Sequence, residues 1–211
     1  MSFNLGLIHE AIAAAIPDRE AMVTSQHRFT WRDVATRSRK LANLLPAAGL
    51  GCHRERDGLQ PWESGQDHLA LYLYNGHEYM EGMLGAYKAR VAPFNVNYRY
   101  VAEELLYVLR DAGTKAIVYH ASFAPLLREV LPKLPAMKLL LQVDDGSGEP
   151  LLPGAQDYET AIAAASDAMP DVSPSGDDLY ILYTGGTTGM PRGVLWRQED
   201  SCLAALGGRV L

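Results

Sequence analysis

Apolar residues along this chain switch repeatedly between helical spacing and short unbroken runs, and that alternation predicts a sheet layered between helices. Thr30 followed by Asp33 has the spacing of a capping box, with Asp in place of the more usual Glu. Trp31, Val34, Leu41 and Leu45 then recur at helical intervals, predicting a helix over about residues 31–47. Leu69 to Tyr74 reads as a strand, and the helix after it carries Tyr79, Met80, Met83, Leu84 and Tyr87 on one face, a stripe expected to be core. Val91 to Val96 reads as a second strand. Glu103 and Glu104 then open the next helix, where carboxylates favour the dipole, and Leu105, Leu106 and Leu109 line its inner side. Ala116 to Tyr119 and Lys138 to Val143 add two strands around a helix rich in Ala and Leu over about 122–132. Strand and helix in alternation predict an α/β fold, a largely parallel sheet flanked by helices.

Two polar, glycine-bearing loops interrupt the pattern, residues 51–66 and 144–150, and both are expected to be exposed and mobile. His53, His68 and His77 lie near the first, but no metal-ligand spacing joins them, and they read as ordinary surface or core histidines. Asp and Glu outnumber Lys and Arg by 25 to 19, giving a formal net charge of −6 that argues against a nucleic-acid surface. The local basic run Arg37-Ser-Arg-Lys40 reads as the wet face of a helix. Cys52 and Cys202 are too few for a disulfide framework or a zinc site. No signal peptide is legible at the amino terminus, and no apolar run approaches the ~20 residues that span a bilayer, so a cytoplasmic location is expected.

The densest chemistry lies in Ile181-Leu-Tyr-Thr-Gly-Gly-Thr-Thr-Gly-Met-Pro-Arg-Gly-Val194, an apolar strand followed by a glycine and threonine loop and a cation. Gly185, Gly186 and Gly189 can take positive φ and bring backbone N–H groups close to an anion, forming a concave nest. Thr184, Thr187 and Thr188 add hydroxyl donors, and Arg192 adds a fixed charge suited to phosphate oxygens. A Walker A loop would need Gly-Lys-Ser/Thr where Met190 and Pro191 stand. A dinucleotide fingerprint would open a helix, whereas Pro191 and the Gly193-Val-Leu-Trp196 run point to a second strand. What remains is a strand–loop–strand anion site.

This run resembles the phosphate-binding loop of the adenylate-forming enzymes, which include acyl-CoA synthetases, luciferases and the adenylation domains of peptide synthetases. Relative to the usual Tyr-Thr-Ser-Gly-Thr-Thr-Gly-x-Pro-Lys-Gly-Val, Gly185 replaces Ser and Arg192 replaces Lys. The resemblance extends upstream through residues 69–79, 85–99 and 103–113. Downstream, Leu195-Trp-Arg-Gln-Glu-Asp200 replaces the small residue, His and Asn usual after the loop, with Gln198 where the His is expected. That variant is similar to a bacterial subgroup of fatty-acid and steroid side-chain ligases.

The resemblance implies the amino-terminal portion of the large domain of an adenylate-forming enzyme. Residues 1–175 would form an amino-terminal α/β subdomain, 176–211 the start of a second one carrying the loop 184–192, and the carboxy-terminal lid would lie outside this chain. It implies an ATP-dependent acyl-CoA ligase whose partners are a carboxylic acid, fatty or bulky and apolar, ATP and coenzyme A. Thr184, Gly185, Gly186, Thr187, Thr188, Gly189 and Arg192 would hold the phosphates. No catalytic residue and no metal ligand would fall within the chain, the Mg2+ ligand being expected downstream. The 211 residues alone would then be inactive. Apolar surface around residues 180–183 would be left for self-association or for pairing with the downstream half. An amino- or aryl-acid-activating enzyme and a non-catalytic phosphate- or nucleotide-binding module remain open alternatives.

Overall fold

The computed structural model describes residues 3–24, 26–185, 189–205 and 207. The chain opens with helix α1 (Leu5–Ala15), capped by Asn4, and a small antiparallel hairpin of β1 (Glu20–Val23) and β2 (Arg28–Thr30). None of these three elements was expected from the hydrophobic pattern, because the Ala-rich α1 buries only Gly6, His9 and Ala13 and so shows no apolar stripe. Helix α2 (Trp31–Ala47) begins on the anticipated capping box: Asp33 N–H donates to Thr30 Oγ1 and Thr30 N–H donates to Asp33 Oδ2.

From there strand and helix alternate: β3 (His68–Tyr72), α3 (His77–Lys88), β4 (Ala92–Asn95), α4 (Ala102–Asp111), β5 (Ala116–His120), α5 (Ala124–Val130), β6 (Leu139–Val143), β7 (Gln156–Asp157), α6 (Tyr158–Ala164), β8 (Leu179–Thr184) and β9 (Arg192–Arg197). The seven strands β3 to β9 form one sheet in the order β7-β6-β5-β3-β4-β8-β9. All are parallel except β9, which folds back antiparallel on β8. The expected largely parallel α/β sheet is therefore the observed one, and the loop after β8 does run into another strand.

Each strand divides its side chains between two cores, as a sheet covered on both faces must. Ala70 and Tyr72 pack with Phe94, Ile117, Leu105, Leu109 and Leu127 on the α4–α5 side, while Leu69 and Leu71 pack with Val118, Leu141, Leu41 and Leu45 on the α2–α3 side. The helix expected over about 122–132 is a single α-helical stretch, α5, between 3-10 turns at Ala121–Phe123 and Leu131–Lys133, the second containing Pro132. Of the α3 stripe, Leu84 and Tyr87 are buried and Tyr79 and Met83 pack at the margin, but Met80 is exposed.

Two local expectations are corrected. The Arg37–Lys40 run is not a wet face. Arg37 Nε donates to Glu81 Oε1 at 2.6 Å, Ser38 is fully buried, and Arg39 pairs with Glu10. Loop 51–66 exposes Trp62 as expected, yet it is braced throughout: Arg56 donates to the carbonyls of Glu63 and Pro61, His53 pairs with Asp67, and Cys52 bridges to Gln66. Gly65 is required there, since a Cβ would fall 1.9 Å from the Arg54 carbonyl oxygen. Arg90, just past α3, is the only non-glycine residue of positive φ among the described residues, at 56°, a conformation that costs an L-residue roughly 1–2 kcal/mol.

Candidate functional site

The two crossovers that flank β4 leave the sheet on opposite faces, because α3 packs against α1 and α2 whereas α4 packs against α5. Their connecting segments part at the carboxyl ends of β3 and β4, and a crevice opens there, the place where parallel α/β sheets hold ligands. β8 lies beside β4 and runs the same way, so the loop after Thr184 emerges at the rim of this crevice. The cleft has a volume of 560 Å³; its walls are Leu73 and Asn75 beyond β3, Asn95 and Asn97 at the end of β4, Tyr100 and Glu104 at the start of α4, and Gly185, Gly189 and Met190 of the loop. A larger cleft of 750 Å³ lies between Trp62, Arg110, Asp111 and Leu195 and shares only Tyr183 with the first.

The residues singled out in the sequence fall as follows. Gly185 and Gly189 line the crevice, and among the described residues no atom lies within 4 Å of a Cβ built on either. Gly185 is not among the described glycines of positive φ. Thr184 and Arg192 face each other across the neck of the hairpin, a directly opposed cross-strand pair whose side chains share a face. Both are exposed. Gly186, Thr187 and Thr188 lie outside the described residues. Thus the hydroxyl and the guanidinium are brought to one side of the neck and two glycines to the mouth of the crevice, an arrangement able to receive an anion without displacing packed atoms.

Sequence reasoning missed the opposite wall. Asn95 Oδ1 is buried without a hydrogen-bond partner, an acceptor kept free at the end of a parallel strand. Asn97 and Glu104 are engaged: Asn97 Oδ1 accepts from Arg99 N–H at 3.0 Å and Glu104 Oε2 from Val101 N–H at 3.1 Å. Polar Asn residues directly after an apolar strand were the available signal. Tyr183, next to Thr184, donates its hydroxyl to Asp111 Oδ2 at 2.7 Å and packs its ring, tilted by 50°, against Phe94 at 5.5 Å between centroids. Burial and the neighbouring carboxylate push its ionisation well above the ordinary phenol value. Among the described residues no group of three His, Cys, Asp or Glu could hold a metal ion, and no helix is long and apolar enough to cross a membrane.

The family model described as AMP-binding enzyme matches residues 9–209. The chain belongs to that family. Among relatives of this AMP-binding chain, medium-chain acyl-CoA ligase Mig from Mycobacterium avium is 54% identical over 210 residues, covering 100% of the chain and 38% of the relative. The 3-oxocholest-4-en-26-oate–CoA ligase of Rhodococcus rhodochrous is 34% identical, with 99% of the chain and 35% of that protein covered. The chain thus spans just over a third of the length of these relatives. The anthranilate CoA ligase AuaEII, solved with anthranoyl-AMP, superposes with a TM-score of 0.83 at 20% identity over 97% of the chain and 36% of its own, which is a likeness of fold. The amino-terminal domain of FACL13 from Mycobacterium tuberculosis gives 0.76 at 25% identity over 97% of the chain and 48% of that domain.

Within this AMP-binding fold, Gln198, at the position where the resemblance leads one to expect His, is fully buried. Its Oε1 accepts from Leu5 N–H at 2.9 Å, and its own N–H donates to the Asp178 carbonyl. It clasps α1 to the base of the β8–β9 hairpin and takes no part in the crevice wall. Cys52 and Cys202 are free thiols. His68 and His77 are engaged structurally, His68 with the Ala112 carbonyl and Ser64, His77 with Glu78 and Glu159.

Proposed function

We propose that this chain is the amino-terminal portion of an acyl-CoA ligase that condenses a carboxylic acid with ATP to an acyl-adenylate and pyrophosphate, after which coenzyme A displaces AMP to form the thioester. The observation that carries the reading is the position of Gly185, Gly189 and Met190, the described flanks of the loop, at the rim of the β3–β4 crevice, in a chain 54% identical along its whole length to a medium-chain acyl-CoA ligase. A fatty or bulky apolar acid is the substrate class that the two ligase relatives support. Thr184, Gly185, Gly186, Thr187, Thr188, Gly189 and Arg192 serve as the cradle in which charge gathering on the departing pyrophosphate is met by preorganised N–H, hydroxyl and guanidinium donors. We assign the Mg2+ ligand, the acid pocket and the lid to the part of such a ligase that this chain does not span, and residues 176–211 to the opening of the second subdomain. A cytoplasmic location accords with this reading.

The loop is tested with Thr188→Val. Losing one hydroxyl that bonds a charged oxygen costs about 1.5–3 kcal/mol, so pyrophosphate affinity measured by titration calorimetry should fall about ten- to a hundredfold. Equal affinity of the two proteins removes Thr188 from the site. The activity is tested by acid-dependent exchange of labelled pyrophosphate into ATP with fatty, aromatic and steroid acids. The 211 residues alone should give none, because alignment of the reactants, about 7–11 kcal/mol of barrier lowering, needs the remainder of the enzyme. Fusing the corresponding remainder of the Mycobacterium avium ligase should bring exchange with apolar acids; exchange by the chain alone would refute the proposed incompleteness.

A further inference from the structure

The hairpin that presents the phosphate loop is anchored towards its tip by Tyr183, which bonds Asp111 and packs on Phe94, and at its base by a set of buried polar contacts. Its lateral ladder to β4 pairs Phe94 with Ile181, and among the described residues β9 pairs only with β8. At the base, Leu179 N–H donates to Gln66 Oε1 at 2.7 Å, and Asp178, almost fully buried, precedes the first residue of β8. Asp178 accepts Ser175 N–H at 2.8 Å, and its carbonyl receives Gln198 N–H at 2.9 Å, so it ties the foot of β8 to the foot of β9.

Onto this carboxylate comes Arg90. Its Nε donates to Asp178 Oδ1 at 3.0 Å, while Nη1 and Nη2 form a fork with Glu55 at 2.7 and 2.8 Å. The Arg90 side chain is 13% exposed and Glu55 is 67% exposed, so the inner contact is sheltered and the outer one faces water. Arg90 occupies the left-handed position that ends α3, where Val91 N–H donates to the Ala86 carbonyl at 2.9 Å and where glycine would sit without strain. The guanidinium ties three segments that no ladder joins: the α3–β4 junction, loop 51–66, and the foot of the hairpin.

We infer that Arg90 is a positioning residue: through Asp178 it fixes the angle at which the β8–β9 hairpin carries residues 184–192 to the crevice, and Glu55 of the 51–66 loop holds Arg90 in place. The effect on the phosphate loop rests on the function proposed above; the brace itself does not. Strands are stiff, and six residues of β8 transmit a tilt at Asp178 to Thr184 about 20 Å away.

The test uses the whole chain with Arg90→Gly, Arg90→Lys and Glu55→Gln. Arg90→Gly relieves the backbone strain but strands the buried Asp178 carboxylate, so its melting temperature should fall, and the decisive readout is whether the loosening is confined to the hairpin. Amide hydrogen exchange at residues 179–183 and 193–197 should speed up about tenfold or more, with β5 and β6 unchanged. Pyrophosphate affinity should drop about three- to tenfold in parallel. Arg90→Lys, which keeps the charge without the fork, should fall between, and Glu55→Gln should show a smaller loosening that the unaltered chain reproduces in high salt. Unchanged exchange in the hairpin, or acceleration spread evenly over all strands, overturns the inference. If Arg90→Gly does not fold, Glu55→Gln decides: faster exchange confined to the hairpin sustains the brace and its absence refutes it. Failure of pyrophosphate to bind the unaltered chain counts against the phosphate-loop reading alone, the exchange data still judging Arg90.

Discussion

Arg37 shows how much one side chain can hold together in this fold. Its guanidinium meets Glu81, which is fully buried, and Glu159 of α6, while Tyr158 donates its hydroxyl to Glu81 at 2.6 Å. Burial pushes Glu81 upward and its bonds to Arg37 and Tyr158 pull it back, whereas Glu159, bonded to His77 and Arg37, is held down at about 2. Arg37→Ala should therefore cost about 3–5 kcal/mol in urea denaturation, since it strands a buried carboxylate. Adding Glu81→Gln, which keeps an acceptor for Tyr158, should recover most of that loss, and a double variant no better than the single would refute the account. A second residue sets an acid limit. His9, stacked near Trp31 and beside Lys88, is lowered by burial from 6.5 to about 4. The unfolded chain takes up that proton first, so stability falls as pH drops from 6.5 towards 4, by roughly 3 kcal/mol in all. His68 and His120 are lowered in the same sense, while His77 is raised and opposes them, its contribution being present below its ordinary value and lost as pH rises. Melting His9→Gln at pH 7 and pH 5 should show a smaller acid loss than the unaltered chain; an equal loss would place the sensitivity elsewhere.

Among the elements, α2 and α3 make the most extensive helix–helix contact. Gly85 permits it: a Cβ there would lie 2.9 Å from the Ser38 carbonyl oxygen and 3.0 Å from Leu41 Cβ. Gly85→Ala should gain about 1 kcal/mol of helix propensity yet lose more to overpacking, about 1–3 kcal/mol, for a net fall in denaturation midpoint. Gly82→Ala meets only the movable tip of Leu71 and should be milder; the reverse ranking would mean that the helices part easily. The same contrast explains what could be read in advance. The three strands and three helices between Trp31 and His120 were legible because each alternates a full apolar stripe with a polar break, and the Thr30–Asp33 cap marked its helix start directly. The α1 helix, the β1–β2 hairpin and the two-residue β7 were not, since their burial comes from tertiary contact with α2, α3 and β6 and leaves no local period. At the site, glycines and threonines announced the loop, but Asn75 and Asn95 join it only through the parallel register of β3 and β4, which no local window contains. Arg37 misled because a basic run looks the same whether its partners are water or a carboxylate 44 residues away.

For the molecule as a whole, the exposed apolar surface bordering residues 180–183, of which Ile181 is buried and the others half-buried, lies on β9, the strand paired with them. Val194 and Trp196 are 41% and 40% exposed on one face of β9, and among the described residues no strand pairs with its outer edge. Such an edge is a template for another strand. Two copies meeting antiparallel about the centre of β9 would set Arg192 opposite Arg197, a like-charge pair that weakens the contact, although Arg197 is already partnered by Asp177, Glu199 and Asp200. The two effects differ in their response to salt, because screening removes repulsion between exposed charges beyond about 10 Å at 0.1 M but leaves apolar burial intact. Self-association of the chain should therefore be weak at low ionic strength and strengthen as salt is raised. Val194→Lys, which places a charge on the exposed face of the edge strand, should abolish it. Sedimentation velocity across protein concentration and salt decides the matter: a monomer under all conditions, or association that Val194→Lys leaves intact, would show that β9 is not the contact.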